Sequence, residues 1–147
     1  MKRLAAVVLA ALACSTAASD APVTAPRVNL RSGTLAGARH GPVDAYLGVP
    51  YARAPVGDLR WRAPEPVEPW SGVRAATTFG PSCPQLWPQP SFGPFTREYI
   101  DAPKPAEDCL HLNVWTPAAR RGPRPVFVWI HGGGFGGGSG AIEIYDG

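Results

Sequence analysis

The sequence predicts a β-first, incomplete portion of a larger domain with a central strand covered on both sides. Two observations in the residues point there. The run Val126-Phe127-Val128-Trp129-Ile130 is apolar on both faces, as a central strand covered on both sides would be. Gly 17 and Pro 18 make up roughly a quarter of the 147 residues and crowd into loops, which implies long irregular segments supported from elsewhere. The chain therefore reads as residues 20–147 of a larger domain, preceded by a leader over 1–19.

The leader has the three parts of a secretory signal: Lys2-Arg3, an apolar stretch over 4–13, and the small residues Ser15-Thr16-Ala17-Ala18-Ser19. It is too short to span a bilayer. Cleavage after Ala18 puts Thr16 and Ala18 at the small-x-small positions, and cleavage after Ser19 is nearly equivalent. A lipoprotein signal with Cys14 as the lipidated residue ranks second, because Ala11-Leu12-Ala13 lacks the usual leucine three places before the cysteine. Either route predicts export, secreted or periplasmic. No other stretch is long and apolar enough for a transmembrane segment. The formal charge of +3 shrinks without Lys2 and Arg3, when twelve basic residues face eleven acidic ones. No basic cluster with interleaved aromatics is left to bind nucleic acid, and Arg120-Arg121 with Arg124 reads as a solvated loop.

The elements follow in order. Strands are expected over 34–38 and 43–47, joined by a hairpin turn at Arg39-His40-Gly41-Pro42. Prolines at 50, 55, 64, 66 and 69 block regular ladders, so 51–70 should wander over a surface, pinned by Tyr51, Trp61 and Trp70. Export and the even count favour a Cys83–Cys109 disulfide over two unrelated buried thiols. It would close a Pro-rich loop carrying Trp87, Phe92, Phe95 and Tyr99, and a loop of that size gives on the order of 3.5 kcal/mol in the chain-entropy model. Next, Leu110, Leu112, Val114 and Thr116 alternate with His111, Asn113 and Trp115 as in a strand, and a Pro/Arg loop leads to 126–130. There are no internal repeats.

Directly after that run comes His131-Gly132-Gly133-Gly134-Phe135. Glycine backbone at the end of a buried strand can converge consecutive N–H groups on one point, which suits the oxyanion of an acyl-transfer intermediate. Neighbouring candidates carry plainer readings. Gly137-Gly138-Ser139-Gly140-Ala141 nearly spells the Gly-x-Ser-x-Gly nucleophile elbow, but ends in Ala and follows no apolar strand, so Ser139 reads as a loop serine. His131 fits a loop-positioning role, His40 a turn and His111 a strand. With the two cysteines paired, no metal-ligand cluster is left. Gly132-x-Gly134-x-x-Gly137 also fits the letter of a dinucleotide fingerprint, but its acidic ribose ligand would fall past Gly147. A phosphate loop is excluded because no lysine follows Lys104.

Glu107-Asp108-Cys109-Leu110-His111-Leu112-Asn113-Val114-Trp115-Thr116-Pro117 resembles the N-terminal signature of the type-B carboxylesterase/cholinesterase-like family, with His111 where tyrosine is more usual. Tyr46-Leu47-Gly48-Val49-Pro50-Tyr51-Ala52, Gly57-Asp58-Leu59-Arg60-Trp61, Trp70-Ser71-Gly72-Val73 and Phe79-Gly80-Pro81-Ser82-Cys83-Pro84-Gln85 resemble the family's opening blocks in order, as do 126–135 and Tyr145-Asp146-Gly147. The resemblance implies an α/β-hydrolase fold, with N-terminal antiparallel strands and a mostly parallel central sheet. It supports the Cys83–Cys109 bridge independently. It also matches Gly133 and Gly134 to the oxyanion-hole glycines, and Arg60 with Glu107 to a structural ion pair. A buried pair of this kind is weak evidence for net stability, yet breaking one side typically costs about 3–5 kcal/mol. The implied activity is hydrolysis of a small-molecule carboxylic ester without a cofactor, by a serine, acid and histidine later in the chain; the fragment alone should be inactive. The alternative is a cholinesterase-like binding or adhesion module that has lost the nucleophile.

Overall fold

The computed structural model describes residues 24–86, 101–119, 122–142 and 145. The leader, with Cys14, and the loop aromatics Trp87, Phe92, Phe95 and Tyr99 lie outside the described residues. Six strands among the described residues form two three-stranded sheets. In the first, β1 (Arg27–Leu30) and β2 (Gly33–Ala36) run antiparallel with Val28 opposite Leu35, and β5 (Val73–Ala75) joins β2 in parallel. In the second, β4 (Val43–Pro50) lies between β3 (Ala38–His40) and β6 (His111–Pro117), antiparallel to both.

The expected hairpin is present but tighter than the sequence suggests. His40 pairs with Val43 across Gly41-Pro42, so it is a strand residue and not part of the turn. The single strand expected over 34–38 is split, with β2 ending at Ala36 and β3 starting at Ala38. Gly37 turns the chain from one sheet to the other, its N–H donating to Pro26 O at 2.9 Å, at a point where a Cβ would run into the Ala45 carbonyl. The sheets meet again beyond β5, where Ala76 N–H donates to Ala36 O at 2.7 Å and Leu47 N–H donates to Ala76 O at 2.9 Å.

Leu35, Tyr46, Val49 and Ala76 fill the space between the sheets, with Val28 and Trp70 packed against them. Trp70 also donates its indole N–H to Thr34 O at 3.1 Å, which ties the Pro-rich excursion down as expected. Trp61 and Tyr51 do not share that work, because Trp61 is 97% exposed and Tyr51 is exposed as well. Arg53 holds the excursion instead, through Glu65 and through Glu68 at 3.1 Å, around a short 3-10 turn at Gly57–Leu59.

Cys83 and Cys109 are joined by a disulfide with their Cα atoms 5.0 Å apart. Arg60 Nε lies 3.0 Å from Glu107 Oε1 beside it. This pair is not buried: its side chains are 54% and 41% exposed, so solvent screening limits it to about 0–1 kcal/mol.

The largest departure concerns 126–130. The run is neither a strand nor buried, with Val126, Phe127 and Ile130 at 85%, 87% and 83% exposure. No described strand offers it an edge, and an apolar sequence becomes a central strand only when neighbours supply its ladder and cover its faces. Trp129 alone is partly covered, its ring centroid 4.1 Å from that of Tyr145. In β6 the alternation is real, but His111, Asn113 and Trp115 take the less exposed face, while Leu112 and Val114 are 41% exposed and Val114 opens on a cleft lined by Leu35, Tyr46 and Val49.

Two outcomes follow from this arrangement. The isolated chain is expected to enhance ANS fluorescence through its open apolar run, and Val126→Lys with Val128→Glu to suppress that signal without altering the far-UV circular dichroism. A chain that leaves the dye dark contradicts the exposure described here. In protein purified without reductant, peptide mapping should recover Cys83 and Cys109 in one linked peptide, and Cys109→Ser should cost on the order of 3.5 kcal/mol. Alkylation of both thiols in the unreduced native protein contradicts the bridge.

Candidate active site

The glycine loop begins where the apolar run ends. Gly133, Gly134 and Phe135 have φ of +130°, +58° and +61°, three successive residues in backbone that side chains resist. For Phe135, whose side chain is fully exposed, this conformation costs of order 1–3 kcal/mol. Gly136 N–H donates to Gly133 O at 3.0 Å and closes the turn. The segment then doubles back on itself. A Cβ on Gly133 would collide with the Gly137 carbonyl, and one on Gly138 would collide with the Gly132 carbonyl and stand 2.8 Å from His131 Nδ1. Residues 132–133 are therefore packed against 137–138, at a separation only glycine permits.

Within this turn, neither the Gly133 nor the Gly134 N–H makes a hydrogen bond to another described residue. Both glycines are exposed, and among the described residues neither donor is engaged. His131 is exposed, and its Nδ1 lies 2.8 Å from Gly132 O, so the ring is engaged with the loop's own backbone. Ser139 is only 7% exposed, and its Oγ accepts the Ala141 N–H at 3.1 Å inside a local turn. His40 sits exposed on β3, and His111 at the start of β6 has Nε2 3.9 Å from Asp108 Oδ1. Among the described residues no three His, Cys, Asp or Glu side chains group to hold a metal ion, and no helix is long and apolar enough to cross a membrane.

Two residues that sequence reasoning passed over hold the loop from outside. Gln85, two positions after Cys83, donates from Nε2 to Gly138 O at 2.9 Å and accepts the Gly138 N–H on Oε1 at 2.8 Å. Asn113, on the less exposed face of β6, donates from Nδ2 to Gly140 O at 3.0 Å and accepts the Gly48 N–H on Oδ1 at 2.9 Å. Gly48 is free to donate because the β4–β6 register slips between Tyr46 and Val49, a bulge at which Gly48 has φ of +64°. The signal for Asn113 was an amide at an inward position of an alternating strand; for Gln85 there was none beyond its place beside the cysteine.

Comparison with known proteins identifies the family. The carboxylesterase family model matches residues 24–147. Phenmedipham hydrolase of Pseudarthrobacter oxydans is 47% identical over 123 residues, which is 84% of this chain and 24% of that protein. Fumonisin B1 esterase of Sphingopyxis macrogoltabida is 44% identical over 118 residues, 80% of this chain and 20% of that protein. A solved PNB esterase superposes with a TM-score of 0.73 at 39% identity, covering 84% of this chain and 24% of that one. The chain thus spans a quarter or less of the length of these relatives, and its two sheets are an incomplete portion of an α/β-hydrolase fold. With the match running through both sheets, the disulfide and the glycine loop, the chain belongs to the carboxylesterase family.

Proposed function

We propose that this chain is the N-terminal part of an exported serine carboxylic-ester hydrolase, in which Gly133 and Gly134 supply two donors of the oxyanion hole. The observation that supports this reading most directly is the pair of N–H groups at positive φ that no other described residue engages, in a turn whose packing excludes a side chain at Gly133. Donors held in place before the reaction stabilise a developing oxyanion without reorganising. His131, bonded to the Gly132 carbonyl, holds the loop and is not the base. The nucleophile, acid and base belong to residues beyond Gly147, in the order serine, acid, histidine. The extended chain, translated onward from Gly147, is therefore the form in which activity resides. The leader at 1–19 and the disulfide fit an oxidising compartment outside the cytoplasm.

The reaction is two-step acyl transfer. The serine hydroxyl attacks the ester carbonyl as histidine takes its proton, and the carbonyl oxygen acquires negative charge facing the Gly133 and Gly134 N–H groups. Collapse of the intermediate breaks the bond to the alcohol, which leaves with the proton from histidine. Water then attacks the acyl carbonyl with histidine again as base, a second oxyanion forms in the same site, and its collapse breaks the bond to the serine oxygen, which takes back the proton from histidine as the acid leaves. None of these steps requires a cofactor.

Residues 1–147 alone should hydrolyse no p-nitrophenyl ester above a blank, and a stoichiometric burst abolished by Ser139→Ala would reverse the assignment of Ser139. In the extended chain, Gly134→Ala should lower kcat by about 10²–10³ with KM little changed where chemistry limits turnover. Folded protein is counted by circular dichroism, because organophosphate titration itself uses the oxyanion hole. A normal kcat per folded molecule in both Gly133→Ala and Gly134→Ala contradicts the proposed role.

A further inference from the structure

Gln85 uses every hydrogen-bonding direction that matters on its side-chain amide. Its two N–H bonds reach Cys83 O at 3.1 Å and Gly138 O at 2.9 Å, while its oxygen takes the Gly138 N–H at 2.8 Å. An amide can pair with both the N–H and the C=O of one peptide residue because it presents a donor and an acceptor on neighbouring atoms; an ionised carboxylate only accepts and an ammonium only donates. The residue it grips is the one packed against His131 and Gly132, so Gly138 cannot move without releasing the backbone leading into Gly133. On its other side Gln85 is held by the carbonyl of Cys83, which the disulfide joins to Cys109, two residues before β6. A continuous path of short contacts therefore runs from the disulfide through Gln85 to the glycine loop.

From this path we infer that Gln85 is a positioning residue for ester hydrolysis, a two-point clamp on Gly138 that fixes where the Gly133 and Gly134 N–H groups point. The inference rests on the oxyanion reading proposed above. It adds that the glycines of the loop, which have no side chains of their own to fix them, take their geometry in part from the disulfide-bearing turn. A small displacement of reacting or stabilising groups is enough to lose much of their effect.

The test uses the extended chain with Gln85→Ala, Gln85→Glu, Gly133→Ala and Gly134→Ala measured together, each normalised to folded protein by circular dichroism. Gln85→Ala is expected to lower kcat by roughly ten- to a hundredfold with KM little changed. Gln85→Glu keeps the size of the side chain and the acceptor for the Gly138 N–H, but as a carboxylate it sets a negative oxygen against the Gly138 carbonyl. Once protonated, its O–H can donate there, so the ratio of variant to wild-type kcat should rise as pH falls through the carboxyl range. A residue that merely supports the fold gives no such pH-dependent recovery.

Three results overturn the clamp: wild-type kcat per folded molecule in Gln85→Ala, a defect confined to KM, or a Gln85→Glu ratio that is flat with pH. If Gly134→Ala lowers kcat while either Gln85 variant gives one of these results, the clamp fails and the oxyanion reading stands. If Gly134→Ala and Gly133→Ala both leave kcat intact, the oxyanion reading fails and the clamp with it.

Discussion

The two-sided pairing of β4 is the constraint from which the rest of the structure hangs. β3 lies on one edge and β6 on the other, and Leu47 N–H reaches the Ala76 carbonyl of the first sheet, so a single strand joins every layer described. Its residues Asp44 to Leu47 are buried consecutively, where a strand with one wet face would alternate. Even the carboxylate among them is accommodated, because Arg39 directly opposite grips Asp44 with bonds of 2.7 Å and 3.1 Å, and that hydrogen bonding pushes the guanidinium pKa further up. The strand that meets the description of a doubly covered central strand is thus β4 and not the run at 126–130.

The glycine loop takes its position from this frame at second hand. Glycine has the most conformational freedom to lose on ordering, and a run of glycines has no side chains to offset that loss by packing. Ordering must come from neighbours. The bulge in β4 presents the Gly48 N–H to Asn113, and Asn113 passes the connection on to Gly140; the disulfide fixes Cys83, and Gln85 passes it on to Gly138. Two amide side chains, arriving from different elements, hold the returning limb of a loop whose outgoing limb carries the proposed donors. Each of these bonds is worth only about 0.5–1.5 kcal/mol net, so their main contribution is to geometry.

Features set by local sequence were the ones legible before the structure. Gly41-Pro42 between two strand-forming runs announced a hairpin, alternation through 111–116 announced β6, and an even pair of cysteines behind a leader favoured the bridge. Where the outcome depended on distant partners, the residues were silent or misleading. The break at Gly37 is required by the Ala45 carbonyl on another strand, and the three-residue β5 is stabilised by β2, far back in the chain. Gln85 meets Gly138 across 53 residues and Gly48 meets Asn113 across 65, contacts that leave no periodicity to read. The run at 126–130 has the composition of a buried strand, but composition states a preference and only a neighbouring strand can satisfy it. Arg60 and Glu107 lie 3.0 Å apart, but their exposure depended on how the surrounding loops lie and could not be read from the residues.

The central claim is that two loop amides face a developing oxyanion, and the most direct measurement is a crystal structure of the extended chain inhibited by a phosphonate ester bonded to the nucleophilic serine. The phosphoryl oxygen stands where the oxyanion forms. The account predicts that oxygen within about 2.7–3.1 Å of both the Gly133 and Gly134 nitrogens, with the 132–138 turn otherwise as described. A phosphoryl oxygen bonded by other donors, with both glycine N–H groups turned away from it, would contradict the account.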